Sequence, residues 1–270
     1  MTLAGRPYGV SVLILLPPSE GKTAPATGPA MRLSRLSFPD LTPTRSSVAD
    51  SLVALSGGPT TKARAVLGIS ARQDEELRRN RDIFTAPTAP AGSVYTGVLY
   101  DSLDLASLPV RSRKRAAADI AIASALFGLL RVDDAIPAYR LSADTTLPGV
   151  GGLAAAWRGP LADAIGGAAG SGVVLDLRSS AYIALGPVPT DLAEQTVVAR
   201  VLQERGGKRV VVSHHNKATK GRIVRSLLAE RRPRTVTDVA GALGDAGYRV
   251  ELAPPRKDGP WTLDVIVRDL

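Results

Sequence analysis

Three short stretches of this chain bring together side chains able to do chemistry. The first is Pro17-Pro18-Ser19-Glu20-Gly21-Lys22, which places a hydroxyl, a carboxylate and an amine close together directly after an apolar run. Ser19 can serve as a nucleophile, Glu20 as an acid or base, and Lys22 as an anion anchor or a lysine nucleophile. The stretch is not a phosphate loop, because the GxxxxGK[ST] spacing is missing. A polar turn closed by its own salt bridge explains the same residues. The second stretch is Ser213-His214-His215-Asn216-Lys217, with Lys220 and Arg225 following. Adjacent residues past a strand face opposite sides, so the two histidines do not form a joint metal site, and His214 is left as a single acid/base candidate. The third is Asp176 with Arg178, Ser179, Ser180 and Tyr182. Two further loops, Tyr95-Thr96-Gly97 and Ala138-Tyr139-Arg140-Leu141, set a ring beside polar groups, either to stack a base or to cover a core edge.

Composition removes whole classes of chemistry. The 270 residues include no cysteine and two histidines, so disulfides, thiol nucleophiles, zinc fingers and three-histidine metal sites are excluded, and no metal or cofactor is implied. Lysine and arginine number 34 against 25 acidic residues, a formal net charge of +9. Between Arg200 and Arg234 stand eleven basic and two acidic residues, which accounts for the entire excess; the remainder is neutral. Such a concentration points to an anionic partner, although a solvated basic face carries the same charge.

These residues need elements to position them. Val12–Leu16, Val173–Leu177, Val210–Val212 and Leu263–Val267 are short β-branched runs bounded by turn residues, as buried strands are. Helical spacing covers Thr44–Leu55, Lys62–Leu67, Arg72–Asn80, an Ala-rich Arg113–Leu130, Leu153–Ile165 and Lys217–Ala229. The alternation predicts an α/β fold, with α+β as the alternative, built on a mixed sheet with surrounding helices. Residues 1–11 read as a loose extension ahead of a single domain over 12–270. The apolar run at Val10–Leu16 is too short to span a bilayer and stops at Pro17-Pro18 rather than at a small-residue cleavage site. A cytoplasmic location and no membrane partner are expected.

Lys62–Asn80 contains two helical patterns joined at Gly68, where a left-handed residue can end the first helix and Ser70 can cap the second. This is similar to a helix-hairpin-helix, whose turn points backbone N–H groups at phosphate, with Arg72, Arg78, Arg79 and Arg81 to neutralise it. The second glycine of that motif is absent, and an ordinary αα-corner has the same pattern.

Taken in order, these pieces resemble the YaaA family of peroxide-stress proteins from about Val12 to the C-terminal strand. The resemblance rests on Leu13–Lys22, Tyr95-Thr96-Gly97, Ser124–Arg131 with Asp134, Tyr139-Arg140-Leu141, Leu175-Asp176-Leu177 with Ser179 and Tyr182, and Ser213 with Lys217, Lys220-Gly221 and Arg225. It implies a cytoplasmic α/β protein with a positively charged cleft and a helix-hairpin-helix, which binds double-stranded DNA and limits iron-linked oxidative damage. By position, the hairpin is Leu67–Asn80 and the cleft basics are Lys22, Arg131, Arg140, Lys217, Lys220 and Arg225. This chain departs from many relatives at Ser19-Glu20-Gly21-Lys22 and at His214-His215-Asn216. Two functions follow. One is non-specific duplex binding through the cleft and hairpin. The other is an enzyme acting on a nucleobase, nucleotide or other anionic small molecule in the cleft. A deep pocket lined by Ser19, Lys22, Tyr139 and Lys217 favours the enzyme; an open groove beside Gly68 favours DNA.

Overall fold

The computed structural model describes residues 12–205, 208–210, 213–257 and 259–268, so the reading of residues 1–11 lies outside the described residues. The main sheet is built from β1 (Val12–Leu16), β2 (Ile120–Ser124), β3 (Gly128–Leu130), β4 (Val173–Asp176), β5 (Thr196–Arg205), β6 (Lys208–Val210), β7 (Arg249–Ala253) and β8 (Trp261–Arg268). Across the sheet they lie in the order β7-β8-β5-β4-β1-β2-β3, with β6 paired to the end of β5. The five strands from β8 to β2 run parallel, and β3, β6 and β7 are antiparallel additions. The fold is therefore mixed α/β with a mostly parallel sheet.

The flanking helices are α1 (Thr42–Gly57), α2 (Thr60–Leu67), α3 (Asp74–Arg81), α4 (Val98–Leu103), α5 (Val110–Asp119), α6 (Leu153–Ala169), α7 (Ser180–Leu185), α8 (Ser213–Ala229) and α9 (Val236–Asp245). Every residue of β1, β2 and β4 is buried, which is why those segments read as unbroken apolar runs. One hydrophobic core runs from Val12 to Val265. Numbered in chain order, the parallel strands lie 2-1-3-4-5, so the chain leaves β1 to one side and returns on the other. Open α/β sheets place ligands beyond the strand carboxyl ends at that reversal, here between β1 and β4. Among the described residues no helix is long and apolar enough to cross a membrane.

Three sequence expectations change. The helix expected over Arg113–Leu130 is α5, β2 and β3: it stops at Asp119, whose carboxylate accepts from Arg232 Nη2 at 2.8 Å and Nε at 3.0 Å. Ile120-Ala121-Ile122-Ala123 then enters the sheet beside β1, because a central position rewards burial on both faces more than alanine rewards a helix. The strand expected at Val210–Val212 is Lys208–Val210, and 211–212 lie outside the described residues. Unforeseen are β5, β7 and α9. In β5 the inward Val197, Ala199 and Val201 alternate with Arg200 and Leu202, a period-2 signal lying inside the segment whose charge dominates it.

Arg45 of α1 is wholly buried and ties the β2–β3 turn to the core. Its Nε donates to Phe127 O at 2.8 Å, and Nη2 donates to Ser37 O and Leu129 O, both at 2.7 Å. Burial pulls its pKa down to about 10, against the opposing charge of Asp134. Arg45→Met leaves three carbonyls without that donor and is expected to cost about 3 kcal/mol, read as a lowered urea midpoint at unchanged slope.

Candidate anion-binding cleft

A cleft of about 870 Å³ opens at the carboxyl ends of β1 and β4. Its floor is the loop Pro17–Lys22; the start of α4, the segment Arg140–Asp144, α7 and α8 complete the walls. The loop is pinned by its own groups. Ser19 Oγ donates to Gly21 O and accepts from Thr96 N–H at 3.0 Å, and Thr23 N–H donates to Val94 O at 2.9 Å. Ser19 is thus a loop closure, and Glu20 is exposed, its carboxylate 3.6 Å from Arg140 Nη1.

Lys22 turns inward instead. Its Nζ donates to Ser19 O at 2.9 Å and Glu20 O at 3.3 Å, and lies 4.4 Å from the centroid of the Tyr139 ring and 5.4 Å from that of Tyr95. Burial, then the Arg140 charge, pulls its pKa down to about 8, against Glu76 and Glu20. Beneath it the Tyr95 and Tyr139 hydroxyls share a hydrogen bond of 2.8 Å, and Tyr139 shares one of 2.7 Å with Ser124 Oγ, which accepts from Phe127 N–H at 2.9 Å. Burial raises the pKa of both tyrosines, so they stay neutral. These rings are buried and support the amine; they are not presented for base stacking.

Lys220 enters from α8 and donates to Leu177 O, just past β4, at 2.8 Å. Burial lowers its pKa too, against Asp176. The helix approaches closely because Gly221 has no side chain: a Cβ there would lie 2.2 Å from Leu99 O of α4. Lys217, one turn earlier, is exposed at the cleft and has no partner among the described residues. Asp176 and Arg178 form a fully buried pair, with Arg178 Nη2 2.7 Å from Asp176 Oδ2 and Nη1 donating to Gly186 O at 2.8 Å. That pair shapes the loop from β4 into α7.

Arg140 is fixed through its backbone. Asn80 of α3 is wholly buried; its Nδ2 donates to Arg140 O at 2.8 Å and its Oδ1 accepts from Arg140 N–H at 2.7 Å. Arg140 Nε and Asn216 Oδ1 are both buried without a hydrogen-bond partner, on residues that line the cleft. Sequence reasoning missed Asn80, whose position at a helix end carried no signal, and took Asn216 only as part of a variant triplet.

The other expected residues lie apart. Arg131 donates from Nη1 to Ile120 O at 3.1 Å and covers the Phe38 ring, outside the cleft lining. Arg225 binds Leu103 O, Asp104 O and Ser107 Oγ at 2.8–2.9 Å, fastening α8 to the end of α4. The Ser213–Lys217 turn is the opening of α8, and the side chain of His214 lies outside the described residues. Gly68 is left-handed (φ 62°) and ends α2 as expected, but the N–H groups of Gly68 and Ile69 donate to Arg64 O, and that of Ser70 donates to Gln73 Oε1. Arg78 and Arg79 pair with Glu75 and Glu76, and Arg81 with Asp82, while Arg72 is exposed with no partner among the described residues. Much of the basic segment is also engaged: Arg200 pairs with Asp264, Arg209 with Glu251 and Arg232 with Asp119.

The family model described as "Peroxide stress protein YaaA" matches residues 12–253, spanning all the strands and loops that build the cleft. The chain belongs to this family. A UPF0246 protein of Streptomyces coelicolor is 48% identical over 261 residues, covering 96% of this chain and 100% of that relative. A UPF0246 protein of Corynebacterium efficiens is 42% identical over 262 residues, at 95% and 100% coverage.

Two variants test how this family member assembles its cleft. Gly221→Ala forces α8 away from α4, so it is expected to lower the thermal unfolding midpoint read by calorimetry. Asn80→Ala frees the Arg140 backbone and is expected to cost about 1–2 kcal/mol in denaturant titration.

Proposed function

We propose that this peroxide-stress family member works by holding a phosphate-bearing small molecule, of nucleotide size, in the cleft between β1 and β4. The observation that carries this reading is the state of the cleft's cations. The Lys22 and Lys220 side chains are half-buried, their ammonium groups hydrogen-bond only to main-chain carbonyls, and Arg140 faces a single exposed carboxylate. Partly desolvated charge without a contacting carboxylate is costly, and an entering anion offsets that cost. A volume near 870 Å³ suits a small molecule.

Duplex DNA is the second reading. It is favoured by the net charge of +9 and by Arg72 and Arg222, which are exposed and without a partner among the described residues. Against it, the hairpin turn spends its N–H groups internally, which leaves fewer donors for backbone phosphate. Salt distinguishes the two: a duplex held by several phosphates loses affinity with a logarithmic slope of about 0.9 per phosphate, whereas one nucleotide gives a shallow slope.

Calorimetric titration with a nucleoside monophosphate tests the first reading. Affinity is expected to fall as pH rises past about 8, where Lys22 loses its proton. Lys22→Met is expected to bind about tenfold more weakly at pH 7, roughly 1.4 kcal/mol, and to lose that pH dependence. The same residue leaves a mark on stability. Its folded pKa lies below the usual 10.5, so the unfolded chain binds more protons between about pH 8 and 10.5, and stability of the ligand-free protein rises with pH there. Undiminished nucleotide binding by the Lys22→Met, Lys220→Met double variant would exclude the cleft as the site.

A further inference from the structure

We propose that Lys22 is a carbonyl-reactive amine whose Nζ condenses with the aldehyde or ketone group of a phosphorylated sugar held in the cleft. This deepens the cleft reading above and rests on it. A lysine becomes nucleophilic when it is desolvated and set beside another cation, and Lys22 has both conditions. Its side chain is half-buried on the cleft floor with Arg140 on the neighbouring wall, and among the described residues no carboxylate pairs with its Nζ. Its two acceptors are the carbonyls of Ser19 and Glu20. A neutral amine has two N–H bonds to donate, so these carbonyls satisfy it and leave its lone pair unused. An ammonium carries a third donor, for which the hydrogen-bond pattern offers only the Tyr139 and Tyr95 ring faces.

The groups that set this protonation come from several elements. Arg140 opposes the charge, while Glu76 on α3 and Glu20 on the loop favour it. The neutral tyrosines below contribute no charge at working pH. Lys217 and Lys220 on the same cleft supply cations for a phosphate, which selects a phosphorylated carbonyl compound over a plain one.

The step balances without a co-reactant. The Lys22 nitrogen adds to the carbonyl carbon to give a carbinolamine. The carbonyl oxygen then leaves as water with both protons of the original amine, and the nitrogen lone pair forms the C=N bond. No atom changes its overall oxidation level. The imine is a better electron acceptor than the free carbonyl, which eases carbon–carbon and carbon–oxygen bond cleavage beside it.

The test incubates the full-length chain with ribose 5-phosphate and sodium cyanoborohydride, with adducts located by intact mass and peptide mapping. The expected result is one adduct on Lys22, forming about tenfold faster than on exposed Lys62, Lys114 or Lys257, rising with pH through about 8 and suppressed by excess inorganic phosphate. Lys22→Arg, which keeps the charge, and Lys22→Met should each lose that adduct while retaining the native circular dichroism spectrum. Ribose 5-phosphate binding is measured in parallel by calorimetry without reductant. Binding without a preferred Lys22 adduct overturns the imine and leaves the phosphate cleft standing. Absence of binding, with adducts spread evenly over exposed lysines, overturns both.

Discussion

Two ammonium groups held by main-chain carbonyls at the ends of adjacent parallel strands are the constraint around which this molecule is arranged. Lys22 is bound to the carbonyls of Ser19 and Glu20 past β1, and Lys220 to that of Leu177 past β4. Carbonyls at a strand's carboxyl end lie beyond the ladder and need donors, so the two lysines satisfy backbone that would otherwise be short of partners. In return they are drawn out of water. Both pKa values move down for that reason.

Much of the remaining structure holds those two groups in place. The Tyr95–Tyr139–Ser124 hydroxyl chain gives Lys22 a rigid, neutral floor. Gly221 lets α8 close on α4, and Arg225 locks that closure by binding the carbonyls that end α4. On the opposite wall Asn80 reaches from α3 to grip both backbone groups of Arg140. The helical hairpin therefore has a structural part in the cleft, independent of whether its turn touches nucleic acid.

The concentration of positive charge between Arg200 and Arg234 takes on a different meaning once its partners are visible. Arg200, Arg209, Arg225 and Arg232 are engaged with carboxylates or helix-end carbonyls, so they fasten β5, β6, α8 and the segment after it to their neighbours. Arg115 likewise donates to Leu227 O and Leu228 O at 2.9 Å, in a second cleft of about 570 Å³ beside Arg231 and Arg232. Of the eleven basic residues in that segment, Lys217 and Lys220 line the main cleft. Which charges are spent on the fold and which face the cleft depends on contacts between residues as far apart as Asp119 and Arg232.

The sequence by itself determined the buried strands β1 and β4, the left-handed end of α2 at Gly68, and the family, because each is written in local order: an apolar run, a turn residue, a motif at fixed spacing. It misread Arg113–Leu130 as one helix, since alanine and isoleucine fit either state until a neighbouring strand is present to bury them on both faces. The alternation in β5 was equally local but was masked by the charges it carries. Only the tertiary structure decided that Lys22 lies half-buried over Tyr139 while Glu20 beside it is exposed, that Asn80 serves Arg140, and that Arg131 lies outside the cleft. Those outcomes rest on which side chains meet across the sheet, and burial, which sets their charge and reactivity, is a property of that meeting rather than of any residue alone.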